Sequence, residues 1–304
     1  MLRTRLAIGI PIVAVVVGVL WIDDRLGPWY PLWFVASLLL MGQAALEVIG
    51  LLNATSARPS GNTVFGGCLA LVFANWAPHV VTAWSGPTLA PGLDPSSSPA
   101  LAAGLDPLAW PLWTFAAIVM FAFIAQSAQF DEPGRTMATI SGTVLAVAYV
   151  GLLGSFLIQL RWLEFGIVPV AATIATAKGA DTGAYTLGRL AGRHKLWPRL
   201  SPKKTIEGAL GGLFFGVVGA LAVMAVARLV FQIPCLTWPE TIGFGLLVGS
   251  AAQLGDLMES MIKRDCSRKD ASAAVPGFGG VLDVLDSLLF AGPVAYGYWL
   301  ALGP

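Results

Sequence analysis

Gln253, Asp256, Ser260 and Lys263 fall at i, i+3, i+7 and i+10, one face of a helix, inside a stretch that is otherwise apolar. Glu259 stands three residues from Asp256 and four from Lys263. Ionisable groups in such a segment must face a bundle interior or a water-filled cavity, which makes each a candidate for function. Downstream, Asp283 and Asp286 are three residues apart, so one helical turn can present both carboxylates to a shared divalent cation. Asp286 also reads as the N-cap of a last helix, whereas Asp283 has no capping duty that the sequence reveals. Lys178 and Asp181 repeat the three-residue spacing upstream, where they can neutralise each other, and Thr182, Gly183 and nearby glycines loosen the backbone around them. Carboxylates for a metal beside bases for phosphates are the equipment of phosphoryl or nucleotidyl transfer.

Two basic segments flank these acids. The string Ser201-Pro-Lys203-Lys204-Thr205-Ile-Glu207-Gly208 marks a helix start, with Thr205 three residues before Gly208 and Glu207 in the first turn. The free N–H groups of such a terminus favour an anion, and two lysines stand beside it. The second segment runs through Lys263, Arg264, Lys269 and Asp270 to Pro276-Gly277-Phe278-Gly279-Gly280, whose glycines permit an irregular turn with converging N–H groups. Other chemistries find little support. There is no Walker A string, and His79 and His194 stand in weak contexts, His79 reading as interfacial or structural. Cys68, Cys235 and Cys266 show neither metal-ligand nor redox spacing and read as small apolar fillers.

The elements that must position these groups are membrane spans. Of 304 residues 56% are apolar and 12% charged, and the mean hydropathy is +0.75, which excludes a soluble globular domain, a disordered chain and a disulfide scaffold. About 170 apolar residues at ~20 per crossing supply eight or nine spans. The apolar runs predict helices near 5–22, 31–53, 64–85, 107–127, 136–160, 163–180, 208–231, 241–262 and 286–302. The first follows Arg3 and Arg5 and lacks a small-residue cleavage site, so it reads as a retained helix. With the N-terminus cytoplasmic, fourteen of the 18 basic residues fall in inner segments and only Arg25 and Arg161 in outer ones. The remaining two, Lys178 and Arg228, lie near span ends, where long side chains can snorkel. The segment 86–106, without Lys or Arg, falls outside. Gly208, Gly212, Gly216 and Ala220 form a small-residue stripe for close helix packing. Residues 1–170 carry few groups that could do chemistry and 178–290 nearly all, which divides the chain into scaffold spans over 1–135 and catalytic spans over 136–304. The expected fold class is therefore all-α, a polytopic transmembrane bundle of about nine spans.

The run Ser260-x-x-Lys263-Arg264-x4-Lys269-Asp270-x-Ser272-x-x-Val275-Pro276-Gly277-x-Gly279-Gly280-Val281-x-Asp283-x-x-Asp286 resembles the signature of phosphatidate cytidylyltransferase, the CDP-diacylglycerol synthase of membranes. Ala180-Asp181-Thr-Gly-Ala-Tyr185 and Ser201-Pro-Lys-Lys-Thr205-x-Glu207-Gly208 are similar to that family in the expected order. Two positions depart: Phe278 stands where the family has histidine, and Val284 where it has arginine. Both carboxylates of the pair remain, and a divergent active enzyme is the expectation. The resemblance implies transfer of CMP from CTP to phosphatidate in phospholipid synthesis, giving CDP-diacylglycerol and pyrophosphate. It implies magnesium, with room for a second cation, at Asp256, Asp283 and Asp286, which with Lys263 form the expected catalytic set. The expected substrate-binding set is Asp181, Ser201, Lys203, Lys204, Thr205, Glu207, Arg264, Lys269, Asp270, Gly279 and Gly280. The implied partners are CTP, phosphatidate and membrane lipids, with no nucleic acid; a homodimer stays open. A bacterial inner membrane is the simplest location.

Two other functions use similar residues. A CTP-dependent polyprenol or phytol kinase shares the metal and phosphate logic, but its hydroxyl acceptor gains from a general base. A transporter also keeps buried charges on broken helices, usually in two corresponding halves. Here the charges are confined to the second half and to one face.

Overall fold

The computed structural model describes residues 18–27, 29–85, 107–130, 133–272 and 279–304. Almost everything in it is helix: α1 (Pro31–Leu52), α2 (Gly61–Ser85), α3 (Ala109–Ala128), α4 (Thr136–Ala146), α5 (Leu153–Gln159), α6 (Ile167–Ala191), α7 (Ile206–Leu229), α8 (Trp238–Asp265) and α9 (Leu282–Leu302). A π-helical segment, Val147–Leu152, joins α4 to α5 into a single crossing. The only sheet among the described residues is a hairpin of β1 (Lys195–Trp197) against β2 (Ser201–Thr205). Backbone groups in lipid must be satisfied within the segment, and helices do this. Among the described residues seven crossings are long and apolar enough to span a membrane, and α6 is not one of them. The chain is an all-α, multi-pass membrane protein.

The first predicted span lies mostly outside the described residues; of it, 18–22 are helical and the helix continues to residue 26. The segment 86–106 also lies outside them. The sixth span differs from expectation. The apolar run ends at 180, yet α6 runs on to Ala191, carrying Lys178 and Asp181 in its middle. Its glycines do not loosen it. They admit α7: a Cβ at Gly179 would lie 2.6 Å from the Phe215 carbonyl oxygen, and one at Gly183 2.5 Å from that of Gly211. From the other side, Cβ atoms at Gly208 and Gly212 would meet the carbonyls of Ala184 and Ala180 at 2.8 and 2.9 Å. The small-residue stripe therefore does pack, glycine against glycine, and it lets two backbones meet along most of their length.

Both halves of the chain contribute to one apolar core. At one end of the bundle, the fully buried Arg161 pairs with Asp24 at 2.8 Å and lies over the Tyr30 ring. Expected in an outer loop, Arg161 instead turns inward. His79 beside it stacks on Trp162 with ring centroids 3.5 Å apart, a structural role. Arg228 does not snorkel: it donates to the Leu236 carbonyl at 2.7 Å and closes the α7–α8 turn. Cys68 and Cys266 are buried and all three cysteines are free.

Candidate active site

At the other end of the bundle four elements converge: the middle of α6, the β hairpin, the C-terminal half of α8 and the first turns of α9. Lys178 turns inward rather than snorkelling. Its ammonium meets Asp181 at 3.1 Å, the Val284 carbonyl at 2.9 Å and the Ser287 hydroxyl at 3.1 Å, tying α6 to α9. From the hairpin, Lys204 reaches Asp256 on α8 at 2.8 Å. Gln253, one turn earlier on the same face, donates to the Ala209 carbonyl of α7 at 3.2 Å. The polar stripe of α8 thus faces its neighbours.

Lys263 lies between two carboxylates, Glu259 at 2.5 Å and Asp283 at 2.6 Å, with the lysine 12% exposed and Glu259 1%. Asp283 does not cap α9 but binds backbone ahead of it. Its second oxygen accepts from the N–H groups of Ala271 at 3.0 Å and Gly280 at 2.6 Å, because α9 begins at Leu282 rather than at 286. Asp286 is accordingly inside the helix and not its N-cap. Its carboxylate is buried, 6% exposed, with Lys178, Asp256 and Asp181 as electrostatic neighbours. Gly255 makes this possible, since any Cβ there would collide with the Asp286 carbonyl.

The expected metal group of Asp256, Asp283 and Asp286 is therefore divided. Asp256 and Asp286 face each other across α8 and α9, while Asp283 is held by Lys263 and two backbone donors. As placed, no three carboxylate, histidine or cysteine side chains converge on one ion among the described residues.

The basic loops separate in the same way. Thr205 is the N-cap of α7 and accepts from the Gly208 N–H at 3.1 Å, as its spacing predicts. Glu207 faces the hairpin, accepting from the N–H groups of Arg193 and His194 and from the His194 ring at 2.6 Å. Ser201 opens β2 opposite Trp197, Lys203 is exposed, and Arg264, Lys269 and Asp270 are exposed beyond the centre of the site. Pro276, Gly277 and Phe278 lie outside the described residues. Gly279 adopts φ +99° beside Asp283, a conformation that glycine takes without strain.

Three further residues border the site: Glu259, Tyr149 and Glu47. Glu259 was legible as part of the stripe. Tyr149 sits in the π-helical segment, buried, its hydroxyl without a hydrogen-bond partner among the described residues and with Glu259, Asp286, Asp256 and Asp283 as electrostatic neighbours. Glu47 comes from α1 and binds the start of α9. A carboxylate in the middle of an apolar span was the available signal for Glu47; Tyr149 offered none, since tyrosines are common in cores.

A profile of the Cytidylyltransferase family matches residues 98–302. The chain belongs to the cytidylyltransferase family. It is 34% identical over 192 residues to the phosphatidate cytidylyltransferase of Bacillus subtilis (strain 168), covering 62% of this chain and 66% of that one. It is 38% identical over 151 residues to that of Staphylococcus aureus (strain COL), covering 50% and 55%, and 35% identical over 210 residues to that of Synechocystis sp. (strain ATCC 27184 / PCC 6803 / Kazusa), covering 58% and 67%. The chain thus spans between about half and two thirds of the length of these curated relatives. All three of these relatives are named phosphatidate cytidylyltransferase.

The carboxylates here are of the type a hard divalent cation takes, but Asp181, Asp256, Glu259 and Asp283 each hold a lysine and no three of the acids converge on one point among the described residues. Among the described residues no cation is in direct contact with the buried Asp286. All the donors are oxygens, the kind that magnesium takes.

Proposed function

We propose that this chain transfers CMP from CTP to phosphatidate, giving CDP-diacylglycerol and pyrophosphate. One observation carries the reading: lysines from three elements, Lys178, Lys204 and Lys263, close on a carboxylate cluster at one end of a membrane bundle. Family membership and the names of the relatives support it.

The chemistry asks little of a general base. A phosphate monoester with its second pKa near ~6 is largely dianionic at neutral pH. Its oxygen attacks the α-phosphorus of CTP, the new O–P bond forms, the bond to the β-phosphate bridging oxygen breaks, and pyrophosphate leaves with that electron pair. The difficulty is bringing two polyanions together and stabilising the leaving group. Lys204 and Lys263 are held by carboxylates in the free protein and can exchange these partners for phosphate oxygens. Lys203 stands beside Lys204, and Arg264 and Lys269 lie along the approach. Asp256 and Asp286 would hold magnesium, which when bound neutralises phosphate charge and fixes the geometry of displacement. Asp283 keeps Lys263 in place. Because no proton transfer is required, Phe278 in place of a histidine is tolerated. The lipid tails remain in the bilayer and the headgroup meets soluble CTP, which puts the site at the cytoplasmic face of a bacterial inner membrane.

Purified protein with phosphatidate, labelled CTP and magnesium should yield CDP-lipid and pyrophosphate. Formation of phospho-lipid and CDP instead identifies a CTP-dependent lipid kinase. No CDP-lipid across a range of detergents and divalent metals sinks the phosphatidate reading.

A further inference from the structure

Glu47 is the one acid of α1, sixteen residues beyond its start, and it is 4% exposed. Its carboxylate leaves its own half of the chain and enters the other. Oε1 accepts from the Ser272 hydroxyl at 2.7 Å and the Val281 N–H at 3.0 Å; Oε2 accepts from the Leu282 N–H at 2.8 Å. The Gln43 side-chain amide, one turn earlier on α1, adds a fourth donor at 3.0 Å. Val281 and Leu282 are the N-cap and first residue of α9, whose N–H groups have no partner within the helix. An anion there also meets the positive end of the helix dipole. Gly280 completes the fit, since any Cβ at that position would collide with the Glu47 carboxylate. The glycine expected to contact substrate is thus needed to admit a protein carboxylate.

The first two turns of α9 carry Asp283 and Asp286. Whatever fixes the start of this helix fixes where Asp283 meets Lys263 and where Asp286 faces Asp256. We infer that Glu47 is a positioning residue for nucleotidyl transfer, clamping the start of α9 from the scaffold half so that its two aspartates stay in register with α8. The assignment rests on the transferase reading above. It gives the N-terminal spans a part in the chemistry without any contact to substrate.

The test uses the full-length protein in detergent, with Glu47→Gln and Glu47→Asp. Glutamine keeps the size but turns a donor toward groups that are all donors; aspartate keeps the charge and retracts it by one methylene. Amide hydrogen exchange is measured first, without metal or substrate. In the wild type the 279–288 region should be protected. In Glu47→Gln exchange there should quicken at least tenfold, with α2, α6 and α7 unchanged. In the CDP-lipid assay kcat should fall about 10- to 100-fold, the range for groups that orient metal ligands, with KM for CTP within about threefold of wild type. Glu47→Asp should recover part of the lost kcat. Wild-type kcat in Glu47→Gln overturns the inference. So does exchange that quickens evenly over all helices with both variants equally inactive, since that is general unfolding. If the wild type makes no CDP-lipid, the transferase reading fails, and the exchange measurement still decides whether Glu47 anchors α9.

Discussion

Lys263 shows how a buried charge at this site is balanced. It is held between Glu259 and Asp283, both nearly inaccessible, so removing it strands carboxylates in a poorly solvated place. Lys263→Met should lower stability by about 3–5 kcal/mol, the usual consequence of breaking a buried pair from one side. It should lower kcat by about 10²–10³-fold if the ammonium also meets phosphate in the transition state. The two effects separate in Lys263→Met/Glu259→Met. An apolar pair of similar volume is tolerated in place of buried ions, and Asp283 keeps its two backbone donors, so thermal stability in detergent should return while activity does not. Recovery of both would remove Lys263 from the chemistry. At this scale the sequence was informative about which groups matter and less so about whom they meet. Rarity of charge in apolar spans singled out Lys178, Asp181, Asp256, Lys263, Asp283 and Asp286. Spacing within one helix paired Lys178 with Asp181, but Lys204 with Asp256 and Lys263 with Asp283 are contacts between elements, which no local spacing encodes. Glu47 falls under the same rule, but the partners that give it a part in the site, Ser272, Val281 and Leu282, lie in the other half of the chain.

Between elements, the decisive packing is α6 on α7. Glycines on both helices bring the backbones together, and this seats the hairpin, and with it Lys203 and Lys204, above α8. Gly183→Ala places a methyl 2.5 Å from the Gly211 carbonyl oxygen and 2.7 Å from the Phe215 Cβ, so α7 must move. Overpacking of this kind costs about 1–3 kcal/mol. The hairpin moves with α7, and KM for CTP should rise. Gly297→Ala on α9 is the control: nothing lies within 4 Å of the added methyl, so melting temperature and KM should stay at wild-type values or the former rise slightly. Thr205→Ala removes the N-cap of α7 and should cost about 1 kcal/mol. If Gly183→Ala matched Gly297→Ala in both measurements, close approach of the helices would not be what seats the hairpin. The apolar runs gave good bounds for α1, α2, α3 and α8. They failed at α6 and at the start of α9, where polar residues continue a helix because neighbouring elements satisfy them: Val284, Ser287 and Asp181 around Lys178, and Glu47 at the first turn of α9.

Over the whole molecule the two ends of the bundle differ in kind. One end is closed by Arg161, Asp24, Tyr30, His79 and Trp162, a packed set whose charges are spent on each other. The other gathers every lysine–carboxylate pair described above and is ringed by exposed basic residues, Arg189, Arg193, Lys195, Arg199 and Lys203 on and around the hairpin, and Arg264, Arg268 and Lys269 beyond α8. Basic residues are retained on the cytoplasmic side of a membrane, so the bias that would orient the chain also puts the carboxylate cluster on the side where the proposed reaction needs CTP. Orientation and function therefore stand on the same residues and can fail together. A cysteine introduced at Arg199, in the exposed hairpin, should react with a membrane-impermeant maleimide only after cells are opened. One introduced at Pro91, in the segment without Lys or Arg, should react in intact cells. Labelling of Arg199→Cys from outside would put the site away from its nucleotide, and the transferase reading would not survive it even if the fold did. Protection of Pro91→Cys with normal labelling at Arg199→Cys would leave the site where it is proposed and instead break the count of nine spans in the first half of the chain.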